Sequence, residues 1–375
     1  MINNKEFFLL IKPASSDCNL KCSYCFYLDK KDLYLEQSCH RISEEVLDKL
    51  ISSYLERDQK QYNISWQGGE PSLMGTEFFK KVTELEMKYG QKGKFMANAF
   101  QTNGTLITDE LAKHLKKFRF LVGVSLDGNA EMHDYYRKTI DNRGSHTDVM
   151  NGIDILDKNN VKYNILTLVN SSNVKKGKEL YNYFKKEGFS YQQYTPCVEF
   201  DKEGNILEFT ITAKEWGAFL SEIFDEWLKT DVNKVSIRLF DSILSSLIYK
   251  KNNICSMEDN CSKYFVVEHN GDVYPCDFFV EEKRKLGNIM DNTWDELLSK
   301  DEYILFGKEK SRWNNKCNRC SYLNLCLGDC LKHRYKEGKD AKELSYLCEG
   351  WKMFYKHSLP RFKKLASSYG SIKIN

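Results

Sequence analysis

From the N-terminus to about residue 200, short apolar runs alternate with stretches whose apolar residues recur at helical spacing. The runs 7–12, 62–67, 95–101, 120–125, 162–169 and 191–198 have the length and the aromatic and β-branched content of strands. Between them, 44–55, 77–87, 109–117, 148–158 and 174–186 carry the 3.6-residue periodicity of amphipathic helices. Six strand and helix units in series predict an α/β fold with a parallel sheet and right-handed crossovers, either a partial barrel or an open doubly wound sheet. In both, chemistry sits at the C-terminal ends of the strands. Thr212-Ala-Lys-Glu215 reads as a capping box opening a helix to about Thr230, and it is expected to form the hinge to a second region. The chain is accordingly divided into residues 1–235 and 236–375, the latter ending in a helix.

Composition narrows the function class. The 375 residues are 41% hydrophobic, and 56 Lys and Arg against 53 Asp and Glu leave a net charge of only +3, which gives no basic field for nucleic acid. The run 7–11 is followed by Lys12-Pro13, is too short to span a bilayer, and lacks the basic flank and cleavage site of an export signal. No membrane association is expected, and a cytoplasmic location is. Thirteen cysteines are many for such a chain, and an odd count without an export signal argues for metal binding over disulfides. Eight of them fall between Cys255 and Cys348 among short segments, which predicts a region held together by metal instead of apolar burial.

Cys18-Asn-Leu-Lys-Cys22-Ser-Tyr-Cys25 puts three thiols on one loop directly after the first strand. Three ligands on a four-iron cubane leave one iron open to chelate a substrate. A partial zinc site is the rival reading. On this motif the sequence resembles the radical S-adenosylmethionine (SAM) superfamily, which implies a partial (β/α)6 TIM-type barrel, a [4Fe-4S] cluster on Cys18, Cys22 and Cys25, and SAM on the open iron. Gln67-Gly68-Gly69-Glu70-Pro71, after the second strand, is similar to that family's Gly-Gly-Glu motif, whose main chain accepts from the SAM amino group. By the same resemblance Ser125 binds the ribose or methionyl end, Arg137 pairs with the SAM carboxylate, and Tyr24 and Val198 border the adenine.

Cys317-x2-Cys320-x5-Cys326-x3-Cys330, followed by Cys348 and preceded by Cys255, Cys261 and Cys276, resembles the SPASM extension of peptide-modifying radical SAM enzymes. That implies two further [4Fe-4S] clusters: a nearer one on Cys255, Cys261, Cys276 and Cys330, and a farther one on Cys317, Cys320, Cys326 and Cys348. Cys39 and Cys197 remain outside every motif. A zinc ribbon is the alternative that the paired spacings allow.

The segments Ile11-Lys12-Pro13-Ala14-Ser15-Ser16, Cys25-Phe26-Tyr27, Trp66-Gln67-Gly68-Gly69-Glu70-Pro71, Gln101-Thr102-Asn103-Gly104-Thr105 and Tyr274-Pro275-Cys276-Asp277-Phe278 together resemble the anaerobic sulfatase-maturating enzymes. The resemblance implies oxidation of a sulfatase Cys or Ser, within Cys/Ser-x-Pro/Ala-x-Arg, to Cα-formylglycine after a 5′-deoxyadenosyl radical takes a Cβ hydrogen. Its partners would be an unfolded sulfatase or derived peptide and a low-potential electron donor such as flavodoxin or ferredoxin. Asp277 is the expected base, because the proton and the electron leave one substrate radical and Asp277 adjoins the cluster ligand Cys276. The alternatives are a crosslinking maturase of ribosomally made peptides, for whose leader-binding domain Cys18 comes too early, and a non-enzymatic zinc-binding interaction protein.

Overall fold

The computed structural model describes residues 6–35, 39–201, 203–335 and 341–370. Among these, the strands are β1 (Phe8–Lys12), β2 (Gln61–Trp66), β3 (Phe95–Thr102), β4 (Leu121–Ser125), β5 (Tyr163–Val169), β6 (Tyr191–Pro196), β7 (Ser236–Ile237), β8 (Tyr264–Glu268), β9 (Asp272–Tyr274) and β10 (Gly287–Asn288). The six strands expected from the apolar runs are β1 to β6, each displaced by at most two residues at its ends. The chain forms two compact units, each drawing on separate stretches of sequence: Met1–Ser125, Tyr136–Tyr163 and Cys261–Gly307 make the first, and Leu126–Tyr135, Asn164–Asn260 and Lys308–Asn375 the second.

In the first unit the strands lie in the order β10-β9-β8-β1-β2-β3-β4. β1 to β4 run parallel, and alternate side chains are buried on one face of the sheet, as Leu9, Ile11, Tyr62, Ile64, Trp66, Phe100, Val122 and Val124 illustrate. The covering helices start where the sequence supplies caps. Ser43 accepts from Val46 N before Glu44–Leu55, and Thr108 accepts from Leu111 N before Asp109–Lys117. Asp109 and Glu110 in the first turn of the latter, and Lys116 and Lys117 in its last, complement its macrodipole.

β8 extends this sheet on the far side of β1, parallel to it and in the register Phe8↔Tyr264 to Lys12↔Glu268. β9 and β10 follow antiparallel. The region from Cys255 to Cys348, expected to be held together by metal instead of apolar burial, has an apolar core in the part that belongs to the first unit, and the expectation is corrected there. Phe265, Val266, Val267, Tyr274, Leu297 and Tyr303 are almost wholly buried, and the Phe265 and Tyr303 rings stack at 4.3 Å. Four consecutive buried residues, Phe265 to Glu268, carry no alternation, so the run 264–268 does not announce itself as a strand.

In the second unit β5, β6 and β7 are parallel neighbours. The capping box at Thr212 and Glu215 is present, but the helix it opens, Ala213–Thr230, is a core element and not a hinge: Trp216, Phe219, Leu220, Ile223, Phe224 and Trp227 are all buried. It packs along Cys348–Gly370, with the Phe224 and Phe362 rings 4.6 Å apart. The two helices come so close at Gly217 that a Cβ there would stand 2.6 Å from the Gly350 carbonyl oxygen.

Candidate active site and cluster ligands

The segment after β1 carries Cys18, Cys22 and Cys25, none of them in a disulfide. Leu20 N and Asn103 Nδ2 donate to Cys18 Sγ at 3.4 and 3.7 Å. Burial pushes the Cys18 thiol up to about 12, and the charges of Glu70 and Cys25 add to this, so Cys18 and Cys25 lie within electrostatic reach of one another. Burial also raises Cys25, against the opposing charges of Arg137 and Lys12. Buried thiols of this kind become stable thiolates only beside a cation, which is what an iron cluster supplies. The loop therefore fits the group expected on it.

The Gly-Gly-Glu segment clamps the start of this loop. Gly69 N donates to Ser15 O at 2.6 Å and Glu70 N to Asp17 O at 2.8 Å. A Cβ on Gly69 would stand 1.9 Å from Asp17 O, so only glycine permits this approach. Glu70 is fully buried, and its carboxylate accepts from Ser72 N, Thr102 Oγ1 and Asn103 N at 2.9, 2.7 and 2.7 Å. Its side chain thus ties the end of β2 to the end of β3, which leaves the main chain of Gly68 and Gly69 for any contact with SAM. Asp17 is itself held by His40 and Arg41, at 2.8 and 2.6 Å. Arg137 lies over the Tyr24 ring, 5.4 Å from its centroid, and close enough to Cys25 for its charge to pull that thiol down, so a guanidinium stands beside the loop where a carboxylate ligand would need one. Ser125 is half-buried at the end of β4. Val198 is buried in the second unit.

Asp277 meets two side chains from the ends of the parallel strands. Lys12 Nζ pairs with its Oδ1, and Gln67 Nε2 donates to its Oδ2 at 2.9 Å. Gln67, expected among the SAM contacts, therefore has its amide on the expected base. Lys12 is 1% exposed and lies 4.2 Å from the centroid of the Tyr27 ring, whose hydroxyl donates to the buried Glu268. Tyr264 OH donates to Cys276 Sγ at 3.2 Å. The spacing of motifs identifies none of Lys12, Tyr27, Tyr264 and Glu268 as parts of this cluster. One signal was available: Lys12 is the single charge in the run 7–12.

In the second unit Cys317, Cys320, Cys326 and Cys348 line one pocket, walled by Tyr322, Leu323, Trp351 and Tyr355. Four thiols around an apolar cavity are a complete donor set for a four-iron cluster. Burial pushes Cys326 up to about 12 and Cys348 to about 11. Between Cys326 and Cys330 the residues Leu327, Gly328 and Asp329 all adopt left-handed backbone, φ 45°, 74° and 61°. The buried Arg334 guanidinium holds that reversal by donating to the carbonyls of all three. Of the other expected ligands, Cys261 and Cys276 belong to the first unit, where both influence Tyr303, and Cys255 and Cys330 to the second. Cys39 is exposed and Cys197 buried.

The radical SAM superfamily model matches residues 13–184, and the SPASM iron-sulfur cluster-binding domain model matches 255–321. A serine-type anaerobic sulfatase-maturating enzyme of Bacteroides thetaiotaomicron is 38% identical over 374 residues, 95% of this chain and 90% of the relative. The chain belongs to the anaerobic sulfatase-maturating enzymes. A cysteine-type member from Clostridium perfringens is 37% identical over 364 residues, 96% of this chain and 98% of the relative. The structure of native anSMEcpe with bound AdoMet and Kp18Cys peptide matches with a TM-score of 0.89 at 36% identity, over 96% of this chain and 99% of that one. This sulfatase-maturating family member is therefore a radical SAM enzyme with the partial (β/α)6 barrel fold followed by a SPASM region, and SAM and [4Fe-4S] clusters are its cofactors. The crosslinking-maturase and zinc-protein alternatives are not favoured. Cys326, Cys330 and Cys348 lie beyond the matched SPASM segment, and for Cys326 and Cys348 the pocket they share with Cys317 and Cys320 is the observation that counts. No helix among the described residues is long and apolar enough to cross a membrane.

Proposed function

We propose that this chain oxidises the active-site Cys or Ser of a sulfatase, presented as an unfolded chain or peptide with a Cys/Ser-x-Pro/Ala-x-Arg sequence, to Cα-formylglycine. The observation that carries the reading is the Asp277 carboxylate, held between Lys12 and Gln67 next in the chain to the cluster cysteine Cys276. Cys18, Cys22 and Cys25 would hold the SAM cluster, with the Gln67 to Glu70 main chain, Tyr24, Ser125, Arg137 and Val198 around SAM. When bound, that pair supplies the radical that takes a hydrogen from the substrate Cβ. Asp277 then accepts the thiol or hydroxyl proton. Its two oxygens are engaged by one donor group each, which leaves lone pairs on both for that proton. Lys12 and Gln67 keep the carboxylate from swinging. Cys276 would belong to the nearer auxiliary cluster, which supplies the one-electron acceptor. Loss of a hydrogen atom, an electron and a proton gives the aldehyde from Ser, and from Cys a thioaldehyde that water converts to the aldehyde.

Residues 1–235 would carry the radical chemistry and 236–375 the auxiliary clusters, with a flavodoxin or ferredoxin as electron donor in the cytoplasm. The relatives include serine-type and cysteine-type enzymes at nearly equal identity, so both residues are offered in the test. The anaerobically reconstituted protein is incubated with SAM, reductant and peptides containing Cys-x-Pro-x-Arg or Ser-x-Pro-x-Arg. Formylglycine is read as a mass loss of about 18 Da from Cys or about 2 Da from Ser, with 5′-deoxyadenosine measured alongside. Release of 5′-deoxyadenosine with neither peptide altered would reject this substrate while leaving the radical SAM assignment intact.

A further inference from the structure

Lys310 in the second unit is 1% exposed, and its ammonium donates to two carbonyls that each follow a cluster cysteine in the chain: Ser256 O, next to Cys255, at 3.2 Å, and Leu327 O, next to Cys326, at 2.7 Å. Its own carbonyl accepts from Arg334 Nη1 at 2.9 Å, which joins it to the guanidinium that holds the Cys326 to Cys330 reversal. The two cysteines are assigned to different auxiliary clusters, Cys255 to the nearer and Cys326 to the farther.

A buried ammonium is costly unless anions repay its desolvation. A four-iron cluster held by four thiolates is a net anion, and its charge grows by one on reduction. Charge and hydrogen bonding around the sulfurs are what set the reduction potential of such a cluster. We propose that Lys310 is a positioning residue for electron transfer, a fixed buried cation shared by the ligand loops of both auxiliary clusters that favours their reduced forms and so makes them better acceptors of the substrate's electron. The inference rests on the clusters and on the ligand sets given above, and not on the identity of the peptide.

The test is a redox titration of the anaerobically reconstituted holoenzyme, without peptide, followed by electron paramagnetic resonance, for the wild type, Lys310→Gln and Lys310→Arg. With full iron content, Lys310→Gln is expected to lower the auxiliary midpoints by an amount equivalent to about a tenfold loss in the reduction equilibrium, which is 59 mV for one electron. Lys310→Arg, which keeps the charge, should stay near wild type, and the SAM-cluster signal should move in neither variant. Unchanged auxiliary midpoints in fully loaded Lys310→Gln would overturn the proposal. If Lys310→Gln loses auxiliary iron, a Lys310→Arg protein that retains iron and its midpoints supports the role of charge. Loss of iron in both variants means that the lysine acts by packing, and overturns it.

Discussion

Lys12 and Asp277 form an ion pair between the end of β1 and the turn that follows β9, with the lysine side chain 1% and the aspartate 14% exposed. Breaking one partner of so buried a pair costs on the order of 3 kcal/mol, because the other charge is left without compensation. The pair also fixes where the carboxylate points. Asp277→Asn keeps the size and removes the basicity, so it is expected to go on releasing 5′-deoxyadenosine while formylglycine formation falls roughly 10² to 10⁴-fold. Both products are measured in one reaction, with iron content checked because Cys276 is adjacent. Normal peptide oxidation by this variant would make Asp277 structural.

Lys12→Met tests the other half of the pair. Losing the cation should leave SAM cleavage in place and reduce peptide oxidation by about tenfold or more, with Lys12→Arg intermediate, because a guanidinium keeps the charge but not the fit. The readout is the ratio of formylglycine to 5′-deoxyadenosine. A variant that lost both products in proportion would place Lys12 in the fold and not in the proton step.

Cys18→Ala, Cys22→Ala and Cys25→Ala are each expected to abolish 5′-deoxyadenosine release while most of the auxiliary iron remains. The ligand sets share no residue, and the Cys317, Cys320, Cys326 and Cys348 pocket is built wholly within the second unit. Iron and sulfide analysis beside a SAM-cleavage assay decides it. SAM cleavage at the wild-type rate in any of the three would move the radical-generating site elsewhere.

How far the sequence reveals this molecule depends on the kind of signal. β1 to β6 are legible because each is a bounded apolar run followed by a helical period, and the cysteine loop is legible because its spacing is local. β8 is not, since a strand buried on both faces has no alternation and Tyr264–Glu268 sits among cysteines that suggest loops. Its pairing with β1 is hidden for the same reason. That pairing sets Lys12 opposite Glu268 in the sheet. Glu70 was legible as part of a motif but not as a carboxylate with three protein donors, which needs β3 beside β2.

The apolar core found beneath the Cys261 segment divides the auxiliary ligands into two kinds. Cys326 belongs to a pocket walled by aromatic rings, so Cys326→Ala is expected to lower soluble yield and loosen the second unit. Cys276 follows a strand whose three residues are all buried among protein side chains, so Cys276→Ala should cost activity with a smaller loss of yield. Thermal melts by circular dichroism of the two purified variants make the comparison. Equal destabilisation would show that metal, and not apolar burial, holds the Cys276 segment.

The loop that carries Cys18 is anchored by Asp17, and that anchor is sensitive to pH. Burial raises the Asp17 carboxyl, but the hydrogen bonds from His40 and Arg41 outweigh it and hold it below the ordinary value. Burial likewise lowers His40, and the Asp17 carboxylate with the Tyr34 carbonyl outweighs it and holds the imidazole above its ordinary value. A depressed acid contributes stability above its unfolded value, about 3.9, and loses it as pH falls through the folded one. A raised histidine contributes fully below its unfolded value, about 6.5, and loses that contribution as pH rises through the folded one. Both are therefore at full strength only between about pH 4 and 6.5. His40→Gln keeps a polar side chain without the charge, and Arg41 still covers Asp17. The wild type should exceed it by on the order of 1 kcal/mol, discounted for the partial exposure of Asp17, or about 2 °C in melting temperature near pH 5.5. The gap should shrink toward pH 9 as His40 loses its proton. A difference that stays constant from pH 5 to pH 9 would show that His40 supports the cysteine loop by packing and hydrogen bonding alone.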